Sequence, residues 1–82
     1  MPPKKLELEL TLEEALHLLQ FSMVSTKKFV DWTEEAYGAV NAEAQKRVRL
    51  AKRLYKTLTE LYPSLTTLVE SEWAKIKDID SP

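Results

Sequence analysis

The side chains that could perform acid–base chemistry in this sequence are one histidine and several carboxylates. His17 is the single histidine, and a general base needs an orienting partner and a substrate held nearby. No pattern around His17 supplies either. The carboxylates match no metal-ligand spacing such as an EF-hand loop; they are Glu7, Glu9, Glu13, Glu14, Glu34 and Glu35. The sequence therefore predicts a non-enzymatic protein with a solvated acidic surface, no metal site and no cofactor.

Composition excludes several other kinds of chemistry. The chain of 82 residues contains no cysteine, which removes disulfides, thiolate metal sites and cysteine nucleophiles. A single glycine argues against a phosphate-binding glycine-rich loop and against an all-β fold. No apolar run approaches the roughly 18 residues of a membrane span. We expect a cytoplasmic protein with no membrane segment, consisting of one domain over 1–82 with flexible ends at 1–5 and 79–82.

The strongest local feature is a run of positive charge in a weakly acidic chain. The net charge is −1, yet residues 46–56 contain six basic side chains and no acid. On a helix, five of these cations form one stripe, which we call the basic stripe: Lys46, Arg49, Lys52, Arg53 and Lys56. It predicts binding to an acidic protein surface or, as the alternative, to nucleic acid. Nucleic acid is less favoured because the protein is acidic overall and Gln45 alone is placed to read base edges.

The N-terminal quarter predicts a short strand followed by a helix. Strict Leu-Glu alternation over residues 6–10 is typical of a strand with one apolar face. Thr11 and Glu14 have the spacing of a capping box, which begins a helix. Apolar residues then recur at helical spacing as far as Met23. This pattern predicts a first helix over about 12–23, with a turn at 22–26.

The middle of the chain predicts a long helix. From Phe29 to Leu61, apolar positions recur every three or four residues, in a heptad-like series with one stutter near residue 40. We expect one helix over about 26–62. Gly38 and Asn41 offer the alternative of two helices broken at 38–41, with Asn41 as the new N-cap. The unbroken helical phase favours the single helix.

Pro63 ends this helix, and Ser64 is placed to cap a final helix over about 65–78. The predicted fold class is therefore all-α, with shorter flanking helices folded back on a long central one and a short N-terminal strand before them. Arg47 and Glu72 fall on apolar faces. They either reach water at a helix rim or pair, with each other or across a dimer seam.

Two features predict self-association. A single strand cannot satisfy its own backbone hydrogen bonds, and the chain offers no second strand. Leu18 and Phe21 lie off the main apolar stripe of the first helix, so that helix is apolar on more than one side. The predicted dimer contact comprises Leu6, Leu8, Leu10, Leu18 and Phe21. We expect an adapter, inhibitor or assembly factor that acts through helix faces, with itself and an unidentified protein as partners.

Overall fold

Helices make up the regular structure of residues 3–79, the range that the computed structural model describes. They are α1 (Leu12–Tyr37), α2 (Ala42–Leu61), α3 (Leu65–Leu68) and α4 (Glu70–Ile76). The predicted all-α class is confirmed, as is the arrangement of shorter helices on a longer one. Of the ends predicted to be flexible, residues 1, 2 and 80–82 lie outside the described range.

The start of α1 follows from the predicted capping box. The backbone N–H of Glu14 donates to Thr11 Oγ1 at 3.1 Å, and the backbone N–H of Thr11 donates to Glu14 Oε1 at 3.0 Å. These two bonds satisfy amides that have no partner inside the helix.

The predicted end of this helix at residue 23 was wrong, because α1 continues to Tyr37. Serine and threonine at 22, 25 and 26 lower helix propensity only slightly, and neither glycine nor proline interrupts 12–37. Thr26 is buried one turn after Met23 and one turn before Val30. Burial of this face therefore stabilises the helix through residues 22–26, where a turn was predicted.

The predicted single helix over 26–62 was also wrong, because the chain reverses at 38–41. Gly38 ends α1 in the left-handed conformation (φ 74°), and its N–H donates to the Glu34 carbonyl at 2.8 Å. Asn41 caps α2, with Oδ1 accepting from the Ala44 N–H at 2.9 Å. The three- and four-residue spacing of apolar positions continues across the break because each helix of the antiparallel hairpin buries one apolar stripe. A continuous helix with one buried stripe would show the same spacing.

The predicted helix over 65–78 is divided in two. Val69 (φ −112°, ψ 18°) interrupts it between α3 and α4, and regular helix ends at Ile76. Ser64 precedes α3 as expected but makes no side-chain capping bond. The interruption leaves Leu65, Val69 and Ile76 all buried.

The strand predicted over 6–10 does not form, and residues 3–79 contain no strand. A strand needs a neighbour for its ladder, and the described chain supplies none. Residues 3–11 instead lie outside regular secondary structure, and we call them the N-terminal arm. Before the capping box, the arm is held at Leu10, whose carbonyl accepts a hydrogen bond from Tyr62 Oη at 2.6 Å and whose side chain packs against the core.

The core lies between the α1–α2 hairpin and the α3–α4 segment. Its larger cluster centres on Leu19, Met23, Leu58, Leu65 and Ile76, and a smaller one joins Val30 to Ala44 and Val48. The principal-axis extents are 39 × 36 × 17 Å, and the radius of gyration is 13.4 Å. A compact chain of this length has a radius of about 12 Å, so the molecule is flattened. The α3–α4 segment covers one side of the hairpin only.

Candidate functional site

An apolar surface lies on the side of the hairpin away from α3 and α4. Leu18 and Phe21 of α1 line a shallow groove together with Leu50 and Leu54 of α2. Arg47, which also lines the groove, stacks on Phe29, and Phe29 contacts Trp32 with ring centroids 5.8 Å apart. We call this continuous surface the open face; its apolar residues are Leu18, Phe21, Phe29, Trp32, Leu50 and Leu54.

The open face exposes large side chains that a folded chain would ordinarily cover. Phe21 is 75% exposed, Leu50 54% and Trp32 53%. Tyr37 extends the aromatic end of the face, packing edge-on against Trp32 at a centroid distance of 5.8 Å. Isolated exposed apolar residues are ordinary, but a contiguous patch is typical of an interaction surface.

The opposite side of the hairpin is closed by contacts from α4. The ring of Trp73 stacks on that of Tyr55, with centroids 3.8 Å apart and planes 2° from parallel. Lys52 Nζ donates to the Ile79 carbonyl at 2.6 Å, which fixes the chain just after α4. These contacts explain why the two sides of the hairpin differ.

Arg47 lies at the rim of the open face and does not pair with Glu72. Its guanidinium carbon is 3.9 Å from the centroid of the Phe29 ring, a cation–π contact. Its Nε is 3.9 Å from a carboxylate oxygen of Glu43, one turn earlier on α2. Glu72 is half-buried in the groove between α1 and α4, beside Met23. Of the two readings left open by the sequence, the rim position is the one observed for Arg47.

The basic stripe divides into four exposed cations and one engaged cation. Lys46, Arg49, Arg53 and Lys56 are exposed, and within residues 3–79 none of them forms an ion pair. Lys52 is half-buried, and its ammonium group is held by the Ile79 carbonyl. The four exposed cations run along the edge of α2 that borders the open face and faces away from α1, as follows from 100° per residue.

The two helices of the hairpin carry opposite net charge. Helix α1 contains five carboxylates and two lysines, a net charge of −3, whereas α2 contains six cations and two carboxylates, a net charge of +4. Asp31 is among the exposed carboxylates of α1, and the Lys27 ammonium lies 2.7 Å from its Oδ1. The open face is therefore formed by one helix of net negative charge and one of net positive charge, although Asp31, paired with Lys27, lies on the side of α1 nearer α4.

The five residues predicted to form a dimer contact are not one surface. Leu18 and Phe21 belong to the open face. Leu6 and Leu8 are 83% and 60% exposed on the N-terminal arm. Leu10 packs against the larger core cluster of its own chain. The arm and the open face are thus separate candidate contacts, with Leu10 anchoring the arm.

The titratable groups form no recognisable catalytic centre in the part of the chain that the structure describes. His17 is exposed in a shallow groove with Gln20, Phe21 and Glu72. No group of three or more histidine, aspartate or glutamate side chains within residues 3–79 is arranged to hold a metal ion. Two hydrogen bonds from Thr11 to the carboxylate lower the pKa of Glu14. The larger effect comes from the backbone N–H of Thr11 and the smaller from its side chain.

The sequence did not assign four apolar residues of the open face to a contact: Phe29, Trp32, Leu50 and Leu54. Their pattern was present: positions 18, 21, 25, 29 and 32 follow one side of α1, and 47, 50 and 54 follow one side of α2. It was hidden because a single helix over 26–62 would place these two sets far apart. Only the hairpin brings them together.

Comparison with known proteins provides no relative from which a role could be transferred. The chain matches no protein-family model, no curated protein and no solved structure. Within residues 3–79, no helix combines the length and apolar character needed to cross a membrane.

Proposed function

We propose that this protein is a non-enzymatic interaction module that binds other proteins, its own second copy included, through the open face. The observation that carries the proposal is the contiguous exposure of Phe21, Leu50 and Trp32 on a hairpin whose other side is covered. Adapters, inhibitors and assembly factors act in this way, by presenting a helix face to a partner.

The chemistry of the open face supports this role. Aromatic residues and arginine are enriched among the residues that contribute most to binding, particularly when large apolar side chains surround them. The stack of Arg47 on Phe29, beside Trp32, is such a group. The N-terminal arm offers a second contact, because residues 6–9 alternate leucine with glutamate and have no regular secondary structure of their own, so they could add to the edge of a partner's sheet.

The proposal is tested by replacing Phe21 and Leu50 with serine and measuring molar mass by light scattering at micromolar concentration. The wild type is expected to self-associate, and the double variant to be monomeric with unchanged helicity. The matched control is Leu68→Ser, since Leu68 is 48% exposed but lies on α3, outside the open face. If the double variant self-associates as the wild type does, the open face is not the surface through which the protein binds.

The basic stripe favours a second candidate function, nucleic-acid binding. Four exposed cations along one edge of α2 could contact successive phosphates. The two functions differ in their response to salt. Phosphate binding weakens by orders of magnitude between low and moderate salt, whereas an apolar interface changes little. Fluorescence anisotropy with labelled duplex DNA, measured over a salt series, separates them.

A further inference from the structure

We infer that the open face receives an amphipathic helix of a partner protein, and that the flank of this helix along α2 carries carboxylates. The inference rests on the proposed function and deepens it, because it names the chemistry of the partner. Three observations carry it. The other side of the hairpin already holds a helical segment, the groove of the open face offers no backbone group to an occupant, and two cations beside the groove form no ion pair within residues 3–79.

The covered side of the hairpin shows what kind of segment fits between α1 and α2. On that side, the α3–α4 segment supplies Leu65, Val69 and Ile76, which are fully buried in the core. Two packed helices have a groove on each of their two sides, and the second groove belongs to the open face, where Phe21 and Leu50 line it. A helical segment with one apolar side therefore fits the open side as well.

The backbone of the hairpin favours a helix over an extended segment in this groove. The amides and carbonyls in the interior of α1 and α2 bond within their own helices, so the groove presents side chains to an occupant. An extended segment lying there would bury N–H and C=O groups without partners, whereas a helix satisfies its own. Apolar residues at positions i, i+3, i+4 and i+7 of the partner helix contact the groove.

The charges around Leu50 select an acidic partner. The neighbours of a residue on a helix surface lie three and four positions away, and three of the four neighbours of Leu50 are cations: Lys46, Arg47 and Arg53. Arg47 is engaged by its stack on Phe29. Lys46 and Arg53 are exposed, and neither forms an ion pair within residues 3–79.

The engaged cation of the basic stripe shows what a covered cation requires. Lys52 lies on the covered side of α2, where its ammonium group donates to the Ile79 carbonyl at 2.6 Å. An apolar helix laid beside Lys46 and Arg53 would remove water from them without offering an acceptor, which costs free energy. Among the described residues that line the groove, none is a carboxylate. The partner helix must therefore supply the acceptors, on the flank that lies along α2.

The basic stripe also contains a matched control for this contact. At 100° per residue, Lys46 and Arg53 lie about 40° and 60° around α2 from Leu50, whereas Arg49 and Lys56 lie about 100° and 120° from it on the same side. All four cations are exposed. Each pair consists of one lysine and one arginine, so reversing either pair changes the net charge of the protein equally. Only a contact at the open face distinguishes the two reversals.

The test uses two synthetic peptides of about 18 residues, each about 27 Å long as a helix. They share one leucine stripe and carry either glutamate or lysine on both flanks. Fluorescence anisotropy of the labelled peptide at low salt gives the dissociation constant. The wild type should bind the glutamate peptide about ten-fold more tightly than the lysine peptide, because exposed ion pairs contribute modestly and are screened least at low salt.

Charge reversal beside the groove should change this preference. Lys46→Glu combined with Arg53→Glu should make the protein bind the lysine peptide more tightly than the glutamate peptide. Arg49→Glu combined with Lys56→Glu should keep the preference of the wild type. Circular dichroism verifies that each variant remains helical.

The apolar floor and the competition with a second copy are tested with the glutamate peptide. Phe21→Ser combined with Leu50→Ser should abolish its binding, because the change removes large apolar contacts at the centre of the groove. Excess glutamate peptide should also lower the molar mass of the self-associated wild type in light scattering, since the peptide and the second copy need the same face.

Three results would overturn the acidic partner. The first is equal affinity for the two peptides, or equal effects of the two charge reversals, as phosphate binding along the whole stripe would give. The second is a self-associated wild type that excess peptide does not dissociate, which would leave the second copy as the occupant. The third is tighter binding to phosphatidylglycerol vesicles than to the glutamate peptide, with a blue shift of Trp32 emission, which would assign the face to a membrane surface.

Failure of this inference and failure of the proposed function give different results. If neither peptide binds while the variant with serine at Phe21 and Leu50 loses self-association, the open face binds protein but not an acidic helix. If that variant self-associates as the wild type does, the proposed function itself fails.

Discussion

Replacing Leu58 with alanine should lower the free energy of unfolding by about 3 kcal/mol. Leu58 is 5% exposed and belongs to the larger core cluster with Leu19 and Leu65. The substitution removes three carbon atoms, worth about 2.4 kcal/mol at roughly 0.8 kcal/mol each. The remaining cavity adds to this loss, and buried leucine-to-alanine changes cost about 2–5 kcal/mol in general. Urea denaturation followed by circular dichroism measures the loss.

The matched control is Leu50→Ala, which makes the same chemical change on the same helix. Because Leu50 is about half exposed on the open face, its replacement should cost under about 1 kcal/mol in the monomer. Leu54 is half-buried and should give an intermediate loss of about 1–2 kcal/mol, although its heptad position predicts a core residue. Equal losses at Leu58 and Leu50 would refute the assignment of an inner and an outer side to α2.

Three further predictions follow from the caps and the charges. Gly38→Ala should cost about 1–2 kcal/mol in thermal unfolding, because alanine must adopt a φ of 74°; an unchanged Tm would contradict the turn. The lowered pKa of Glu14 means that its stabilising contribution is present above its unfolded pKa and is lost as pH falls through its folded pKa; Glu14→Gln, which removes the titrating group, should flatten this part of the pH–stability curve. Arg49→Glu combined with Arg53→Glu should change stability by less than about 0.5 kcal/mol. If the protein binds nucleic acid, that double variant should weaken all sequences alike and reduce the salt slope by about one unit per lost phosphate contact.

Local sequence patterns predicted the helix ends that depend on side-chain caps. The Thr11–Glu14 box begins α1, and α2 ends shortly before Pro63, as expected. Each is a local interaction, visible within four residues of sequence. Core positions on α2 such as Ala51 and Leu58 were predicted for the same reason, since helical spacing alone defines the face.

The chain reversal could not be predicted from periodicity. Both Gly38 and Asn41 indicated a break, but the apolar phase across them fits a continuous helix as well as a hairpin. The choice depends on burial between distant residues, such as Val30 against Val48, which no short window of sequence contains. The open face was missed as a consequence, because it exists only once α1 and α2 lie side by side. The turn predicted at 22–26 was wrong for a related reason. The serine and threonine residues there have low helix propensity, but the burial of Thr26 outweighs it.

The most direct test of the central claim measures whether a second copy covers the open face in solution. Trp32 lies on that face and Trp73 on the other side of the hairpin, so a Trp73→Phe chain makes Trp32 the single fluorescent reporter. Acrylamide quenching of Trp32 should fall and its emission should shift to the blue as protein concentration rises, with the same midpoint as dimerisation by light scattering. In the complementary Trp32→Phe chain, quenching of Trp73 should not depend on concentration. Quenching of Trp32 that stays constant while the molar mass doubles would show that the dimer forms elsewhere and would contradict the account.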